Sequence, residues 1–314
     1  MQVGGPIGVM NVVLVKSRKG LLRPDFLKDA ARFTEGVKQL AVRLWTHGLS
    51  YRGISEVSSE ALKSPVGRTA VPFWVQDAEQ EVLAWLQRPV PAGISYLMLD
   101  GMFVSKKRVT TRKEPVLVAI GITDAGTKHV IDILPAAGES FEAWSTCLQR
   151  LKSRGLDVGK LRMVISDGCA ALISALNAEL PTVQRQRCTV HKVRNVLHAA
   201  APSIKSEAAK QATAIWNAPN KSEARQRATN FVATWTPEHP HVAAIIQDEF
   251  EANLSFYDMD STAWKSLRST NVIERFNREL RRKFDDMGAC RGDDPVRRTA
   301  GLVAISLPSL GKVR

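Results

Sequence analysis

The chain has 314 residues, of which 44% are hydrophobic and 24% are charged, values typical of a folded globular protein and unlike those of disordered or collagen-like chains. Its 44 Lys and Arg residues outnumber its 31 Asp and Glu residues, and the formal net charge of +13 indicates an anionic partner, with nucleic acid the leading candidate. The sequence has no apolar run of about 18 residues, no clear signal peptide and no disulfide pattern, so we expect a cytoplasmic protein that does not cross a membrane.

The N-terminal part of the chain has the periodicity of helices. Apolar residues recur at helical spacing over residues 32–45, and the pattern stops at His47-Gly48, where glycine suits a C-terminal cap. Ser50 can cap a second helix over residues 51–61, and a third amphipathic segment follows over residues 67–86. This succession is typical of a helix-turn-helix, and a plain three-helix bundle remains the alternative.

Beyond residue 92 the pattern changes to that of an α/β sheet. We predict strands at 96–104, 115–123 and 128–134 as an antiparallel meander, a helix from Ser140, a strand at 161–166, a helix at 170–180 and a strand at 183–190. This order belongs to the ribonuclease H-like fold, which requires one more helix. Residues 192–261, which are polar and helical, stand between the last predicted strand and this helix, which begins near Asn271.

The predicted fold is therefore α/β, with a ribonuclease H-like mixed sheet of order β-β-β-α-β-α-β-α and an α-helical insertion before the last helix. We divide the chain into four regions. Residues 1–92 form an N-terminal arm and a helix-turn-helix-like region, and residues 93–191 form the first part of the core. Residues 192–261 form the inserted subdomain, and residues 262–314 contain the last helix of the core and the C-terminal segment.

Two aspartates, each within or next to a predicted strand, fit either a structural role in a turn or cap or a role in binding a ligand. Asp100 lies within the first strand, where an ionised carboxylate is costly unless it is hydrogen-bonded or coordinated, although Asp100-Gly101 is also a strong hairpin signal. Asp167 follows the strand at 161–166, at the end where ligand-binding groups collect in α/β sheets, and a helix cap is the alternative.

Glu274 stands on the last predicted helix, beside a row of arginines. It could pair with Asn271 in a capping box. Its spacing to Arg278, Arg281 and Arg282 instead places a carboxylate next to an arginine row, which suits a site that binds divalent cations and a phosphodiester together. Three acids on the first strand, the fourth strand and the last helix of one sheet are expected to converge.

Several segments together resemble the Mutator-type bacterial insertion-sequence transposases over roughly residues 32–300. They are YLMLDG around Asp100, VLVAIGIT, LRMVISDG around Asp167, QRCTVHKVRNVL from Gln186, and STNVIERFNRELRRK from Ser269. Members of this family are DDE enzymes, and the resemblance implies that Asp100, Asp167 and Glu274 form the catalytic triad. Such a triad holds two Mg²⁺ ions, for which Mn²⁺ can substitute.

The resemblance also implies roles for other residues. Cys188 and His191 form a C-x-x-H pair that lacks the second half of a zinc site, and in the family this signature supports the active site, as we expect of Asn271. The N-terminal helices correspond to the family's DNA-binding region. The predicted DNA contacts are Arg52, Lys63, Arg68, Arg275, Arg278, Arg281, Arg282 and Lys283.

The function implied is that of a DNA transposase that cuts and joins strands by two-metal phosphoryl transfer. Its partners would be transposon ends and target DNA, bound by a homo-oligomer at the bacterial nucleoid. The stretch before Leu22 does not resemble the family and the chain stops soon after Leu302. The alternatives are therefore a truncated or repurposed end-binding protein without catalysis and a ribonuclease H-like nuclease or resolvase.

Overall fold

The computed structural model describes the backbone of four short N-terminal strands and residues 35–62, 66–107 and 110–307. The strands pair as two antiparallel hairpins, β1 with β2 and β3 with β4, and their bounds are Gln2–Gly5, Gly8–Asn11, Lys16–Ser17 and Gly20–Leu21. Residues 32–34 of the first predicted helix and the candidate Lys63 lie outside the described residues.

Four helices follow: α1 (Glu35–Thr46), α2 (Tyr51–Leu62), α3 (Ala70–Asp77) and α4 (Glu79–Gln87). The first ends as predicted, because Gly48 has φ +101° and the amides of Gly48 and Leu49 donate to the carbonyls of Trp45 and Leu44, which is a Schellman cap. Ser50 caps α2 by accepting from the amide of Gly53 at 3.0 Å. The single helix predicted over 67–86 is instead two helices that meet at Ala78.

The sheet has five strands: β5 (Ile94–Lys107), β6 (Thr111–Thr123), β7 (Lys128–Pro135), β8 (Met163–Ser166) and β9 (Gln184–Arg187). Their order is β7-β6-β5-β8-β9, with β5, β6 and β7 antiparallel and β8 and β9 parallel to β5. The predicted meander and mixed sheet are confirmed. The hairpin alternative at Asp100 is wrong, because β5 runs straight through Asp100 and pairs it with Val118.

Beyond β7, the described part of the chain has nine α-helices: α5 (Phe141–Ser153), α6 (Ala170–Glu179), α7 (Thr189–Ala199), α8 (Lys205–Trp216), α9 (Lys221–Trp235), α10 (Pro240–Gln247), α11 (Trp264–Leu267), α12 (Asn271–Met287) and α13 (Asp293–Ser306). The helix expected near Asn271 is confirmed as α12. The strand predicted over 183–190 is shorter, because Cys188 is the N-cap of α7. None of these helices is both long and apolar enough to cross a membrane.

An apolar core covers each face of the sheet. On one face Leu97 and Leu99 of β5 join a cluster that includes Trp144 of α5 and Leu172 of α6. On the other face Met98 and Met102 belong to a cluster that also contains residues of α12, α13 and the N-terminal helices. Because side chains alternate along a strand, Asp100, two residues from both methionines, faces α12.

A buried ion pair anchors α5 to the edge of the sheet. Asp132 of β7 is fully buried and accepts hydrogen bonds from Arg150 Nε at 3.0 Å and Arg150 Nη2 at 2.9 Å, and Arg154 lies 3.4 Å away. A carboxylate without solvent needs such partners, because an uncompensated buried charge is strongly destabilising.

We expect Arg150→Met to lower the free energy of unfolding by about 3 kcal/mol, because it removes two hydrogen bonds from the buried Asp132 carboxylate. Denaturant unfolding measures this change. The control is Lys160→Met, since Lys160 is 68% exposed and pairs with an exposed Asp157 at 3.7 Å; its expected effect is below about 0.5 kcal/mol. Equal effects of the two substitutions would contradict the role given to the buried pair.

Candidate active site

The parallel pairing of β5 with β8 brings the two predicted aspartates together. Met98 stands opposite Ile165 in this register, and Asp100 and Asp167 each follow two residues later. Neighbouring strands lie about 4.8 Å apart, so the two residues lie side by side: Asp167 directly follows the carboxyl end of β8, and Asp100 lies in the middle of β5, which continues to Lys107. Asp167 Oδ1 also accepts a hydrogen bond from the amide of Cys169 at 3.0 Å, which orients its side chain at the start of α6.

Asp100 is buried and surrounded by other acids. It is 9% exposed, and Asn277 of α12 donates its Nδ2–H to Asp100 Oδ2 at 2.8 Å. Burial, followed by the negative charges of Asp167, Glu274 and Glu139, raises the pKa of Asp100 to about 7, although His191 opposes the shift. Burial among other carboxylates therefore disfavours the ionised form of Asp100.

Glu274 enters the same site from α12. Its Oε1 lies 3.2 Å from Arg194 Nη2 and 3.7 Å from His191 Nε2, both on α7. The alternative of a capping box with Asn271 is wrong, because Thr270 is the N-cap of α12, without a side-chain cap hydrogen bond, and the Glu274 carboxylate binds Arg194 instead.

All three predicted acids line one opening of about 400 Å³, which we call the acidic pocket. Its walls come from β5, α7, α12 and the segments that follow β7 and β8. The residues that line it are Asp100, Gly101, Phe103, Glu139, Asp167, His191, Arg194, Glu274, Asn277, Arg278 and Arg281.

Glu139, Asn277 and Arg194 are members of the pocket that the sequence analysis missed. A Cβ atom at Gly101 would lie 1.7 Å from Glu139 Oε1, so the lack of a side chain at Gly101 lets the Glu139 carboxylate lie against β5 beside Asp100. Burial and the charge of Asp167 raise the pKa of Glu139. Asn277 and Arg194 had a detectable signal, since they stand three residues beyond Glu274 and His191 and hence on the same helix faces.

Cys188 and His191 connect the end of β9 to the helix that carries Glu274. The buried sulfur of Cys188 accepts from the amide and the hydroxyl of Thr270, both at 3.3 Å. Burial alone would raise the pKa of Cys188, but its contacts with His191 and Thr270 outweigh burial and lower it. The neighbouring sulfur, together with Asp100, raises the pKa of His191 to about 8 against the effect of burial.

The oxygen donors of the pocket fit a hard divalent cation. Four carboxylates face it, and the Oδ1 atom of Asn277 is buried without a hydrogen-bond partner. Oxygen ligands of this kind suit Mg²⁺. Among the described residues no three His, Cys, Asp or Glu side chains are already close enough to enclose an ion, and Glu274 is engaged by Arg194.

A second and larger opening adjoins the acidic pocket. This basic cavity, of about 920 Å³, lies between α7, the end of α8, the α11 turn and α12. Its charged lining residues are Lys128, Arg194, Lys265, Arg268, Glu274, Arg275 and Arg278. Asn271, predicted to support the acids, lines this cavity and not the acidic pocket.

The remaining predicted DNA contacts occupy different surroundings. Lys283 is buried, and its Nζ donates to the carbonyl of Trp45 and lies 3.8 Å from the centre of the Trp45 ring, so in the fold it joins α12 to α1 and does not face solvent. Arg282 pairs with Glu279 at 2.9 Å. Arg52 pairs with Glu56 at 2.8 Å on the exposed face of α2; Arg68 is also exposed.

The fold and the pocket define an α/β protein with a carboxylate site beside the middle of β5 and the carboxyl end of β8, in a mixed sheet. Residues 2–308 match the family described as "Transposase, Mutator family", and the chain belongs to that family. The match extends beyond residues 32–300 on both sides, so the expectation that the stretch before Leu22 is unlike the family is wrong.

Individual relatives agree with this assignment. The chain is 27% identical over 276 residues to the transposase for insertion sequence element IS905 of Lactococcus lactis, covering 88% of this chain and 70% of the relative. It is 31% identical over 268 residues to the transposase for IS406 of Burkholderia multivorans, covering 83% and 67%. A solved structure titled "Drosophila P element transposase strand transfer complex" aligns with a TM-score of 0.39 and 11% identity over 90% of this chain and 81% of that one.

We expect Asp100→Asn to stabilise the protein in a pH-dependent way when divalent metals are chelated. The pKa of Asp100 is raised from 3.8 to about 7, so ionisation disfavours folding as pH rises from 3.8 through 7, and asparagine carries no such penalty. The gain in free energy of unfolding should be about 3–4 kcal/mol at pH 8 and less than half of that at pH 5.

Denaturant unfolding in a chelator at both pH values checks this expectation. Asp157→Asn is the matched control, because Asp157 is 58% exposed and lies away from the pocket. A gain of the same size at pH 5 and pH 8 would show that ionisation of Asp100 is not its origin.

Proposed function

We propose that this transposase excises and inserts an insertion sequence by metal-dependent cleavage and joining of DNA strands. Asp100, Asp167 and Glu274 would hold two Mg²⁺ ions, or Mn²⁺ in their place. The observation that carries the proposal is the meeting of these three acids, from two parallel strands and α12, in one pocket beside a row of arginines. When bound, the ions would supply stabilisation of the attacking and leaving oxygens of an in-line displacement at phosphorus.

The protein's own groups have separable tasks in this proposal. The carboxylates and the free Oδ1 of Asn277 supply oxygen donors, and Glu139 adds negative charge next to Asp100. Arg278 and Arg281 face the pocket from α12, where guanidinium groups can bind the phosphates that flank the scissile bond. No residue needs to form a covalent intermediate, since water or a 3′-hydroxyl is the nucleophile.

Cys188 and His191 are proposed to position Glu274. The hydrogen bonds from Thr270 to the Cys188 sulfur hold the first turn of α12 against α7. His191, close to both Asp100 and Glu274, then balances part of the negative charge of the pocket. Asn271 would support the site from the basic cavity, which it lines, and not from within the acidic pocket.

The finer architecture is proposed on the same grounds. The order β5-β6-β7-α5-β8-α6-β9, with α12 closing the site after the inserted helices, is the order of a ribonuclease H-like core. We propose residues 93–191 and 262–314 as that core, residues 192–261 as the insertion and residues 1–92 as a helix-turn-helix-like region. The turn between α1 and α2 and the exposed Arg52 and Arg68 support binding of transposon ends there.

Catalysis on DNA implies the remaining assignments. The substrates would be the two transposon ends and the target, held by a homo-oligomer on paired ends, and the reaction would take place at the nucleoid in the bacterial cytoplasm. The competing functions make different products: a repurposed end-binding protein neither nicks nor joins, and a nuclease or resolvase cleaves without joining.

We expect Asp167→Asn to reduce strand transfer by more than about a hundredfold, because it removes a carboxylate from the proposed metal site. The assay uses DNA that carries the inverted repeats flanking the gene, with Mg²⁺ or Mn²⁺ present and with a chelator. Binding of the same DNA, measured by mobility shift, should change little. Asp157→Asn provides the control for loss of an aspartate elsewhere.

Full strand transfer by Asp167→Asn would overturn the catalytic assignment. Binding without nicking by the unmodified protein would favour the end-binding alternative, and cleavage without joining would favour the nuclease.

A further inference from the structure

The basic cavity has walls from two parts of the chain that are far apart in sequence. The inserted helices contribute α7 and the end of α8, and the segment before Glu274 contributes α11 and the first turns of α12. Arg268 fixes this arrangement, since its guanidinium donates to the carbonyl of Trp216 at 2.9 Å and to Asn217 Oδ1 at 2.7 Å. The two walls of the cavity are therefore joined by hydrogen bonds within the fold.

Positive charge in the cavity greatly exceeds negative charge. Six Lys and Arg side chains line it, against the single carboxylate of Glu274, which already pairs with Arg194 at 3.2 Å. Arg275 lies near enough to Lys128 for its charge, after burial, to lower the pKa of that lysine. Like charges gathered around one opening repel one another, and a bound polyanion relieves this repulsion.

The cavity also has an apolar side. Val190, Val193 and Leu197 of α7 and Val272 of α12 line it, and all four are partly exposed. A duplex presents phosphates and groove edges because its base faces are stacked, whereas an unpaired strand presents both phosphates and base faces. Sites for unpaired strands combine a positively charged groove with side chains against which bases pack, most often aromatic ones; in this cavity the aliphatic side chains of α7 and α12 lie beside the positive charges.

The basic cavity and the acidic pocket share a boundary. Arg194, Glu274 and Arg278 line both openings. A strand whose phosphate reaches the acids would therefore pass Arg194 and Arg278 and continue into the cavity without a break.

We propose that the basic cavity binds an unpaired segment of DNA adjoining the scissile phosphate, with its phosphates on Lys265, Arg275 and Arg268 and its bases against the apolar side of α7. This inference deepens the proposed function and rests on it. It adds Arg194, Lys265 and Arg268 to the residues assigned to DNA, and it makes separation of the strands next to the cleaved bond part of substrate binding.

The test is a double charge reversal, Lys265→Glu with Arg275→Glu, at two exposed positions of the cavity. Binding of a fluorescent oligonucleotide of about twelve thymidines, and of a blunt duplex that carries the same strand, is measured over a series of salt concentrations. We expect the affinity for the single strand to fall at least about tenfold and the slope of log K against log salt to decrease by about 1.4, or 0.7 for each lost phosphate contact. Affinity for the duplex should change much less.

The control is Lys160→Glu with Arg162→Glu, which makes the same charge change at side chains that are 68% and 62% exposed beside the amino end of β8. This pair should leave the single-strand affinity and its salt slope nearly unchanged. Mn²⁺ binding by the cavity variant, followed by calorimetry, should also stay unchanged, because the acids are untouched.

An unchanged single-strand affinity in the cavity variant would overturn the proposal, and so would equal losses for the duplex and the single strand. Thymidine monophosphate that competes as well as the oligonucleotide would also overturn it, since the cavity would then be a nucleotide pocket. These results leave the catalytic assignment standing, because that assignment fails only on the Asp167→Asn strand-transfer assay.

Discussion

The parallel pairing of β5 with β8 is the constraint on which the candidate site depends. It places Asp100 and Asp167 at the same level of two adjacent strands, and the alternation of side chains along β5 turns Asp100 toward α12. The hydrogen bond from Asn277 then ties that helix to the strand at the position of the acid. Glu274, one turn before Asn277, is thereby brought to the same pocket, although the chain between Asp167 and Glu274 is long.

The acidic pocket and the basic cavity meet at the ion pair between Arg194 and Glu274. Arg194 holds Glu274 at the boundary between the two openings, and its charge balances that carboxylate. In the proposed function, a cation in the pocket and a phosphate in the cavity would each compete for one partner of this pair. The two ligands would then favour each other's binding, since each releases the group that the other uses.

Much of this architecture could be predicted from the sequence because local signals were strong. The β-rich runs of the meander and the turns between them, the Ser140 cap and the apolar stripe of α12 each specify their element. The Asp100-Gly101 pair did not decide between strand and hairpin, because its local pattern fits both. The structure settles it, because Asp100 pairs with Val118 within the continuous strand β5, and the glycine serves the close approach of Glu139.

What the sequence could not supply are contacts between distant segments. Glu139 precedes a helix without any periodic signal, and only the fold shows that it lies against Gly101. Lys283 belongs to a polar row along α12, yet Trp45 of α1 covers it, so its surroundings depend on how the N-terminal helices pack. The prediction of a single helix over residues 67–86 was wrong at Ala78, where α3 ends and α4 begins; Arg297 and Arg298 of the distant α13 bind Glu79 in the first turn of α4.

The two ends of the proposed insertion, residues 192–261, are held together by hydrogen bonds between the residues that flank it. The amide and hydroxyl of Thr189, shortly before the insertion, both donate to the carbonyl of Arg268, shortly after it. Because entry and exit are clamped together, a longer or shorter excursion would leave Glu274 where it is, and the entropic cost of extra residues grows only slowly with length. Evolution could therefore remodel the inserted helices, and with them the wall of the basic cavity, while the three acids keep their mutual positions.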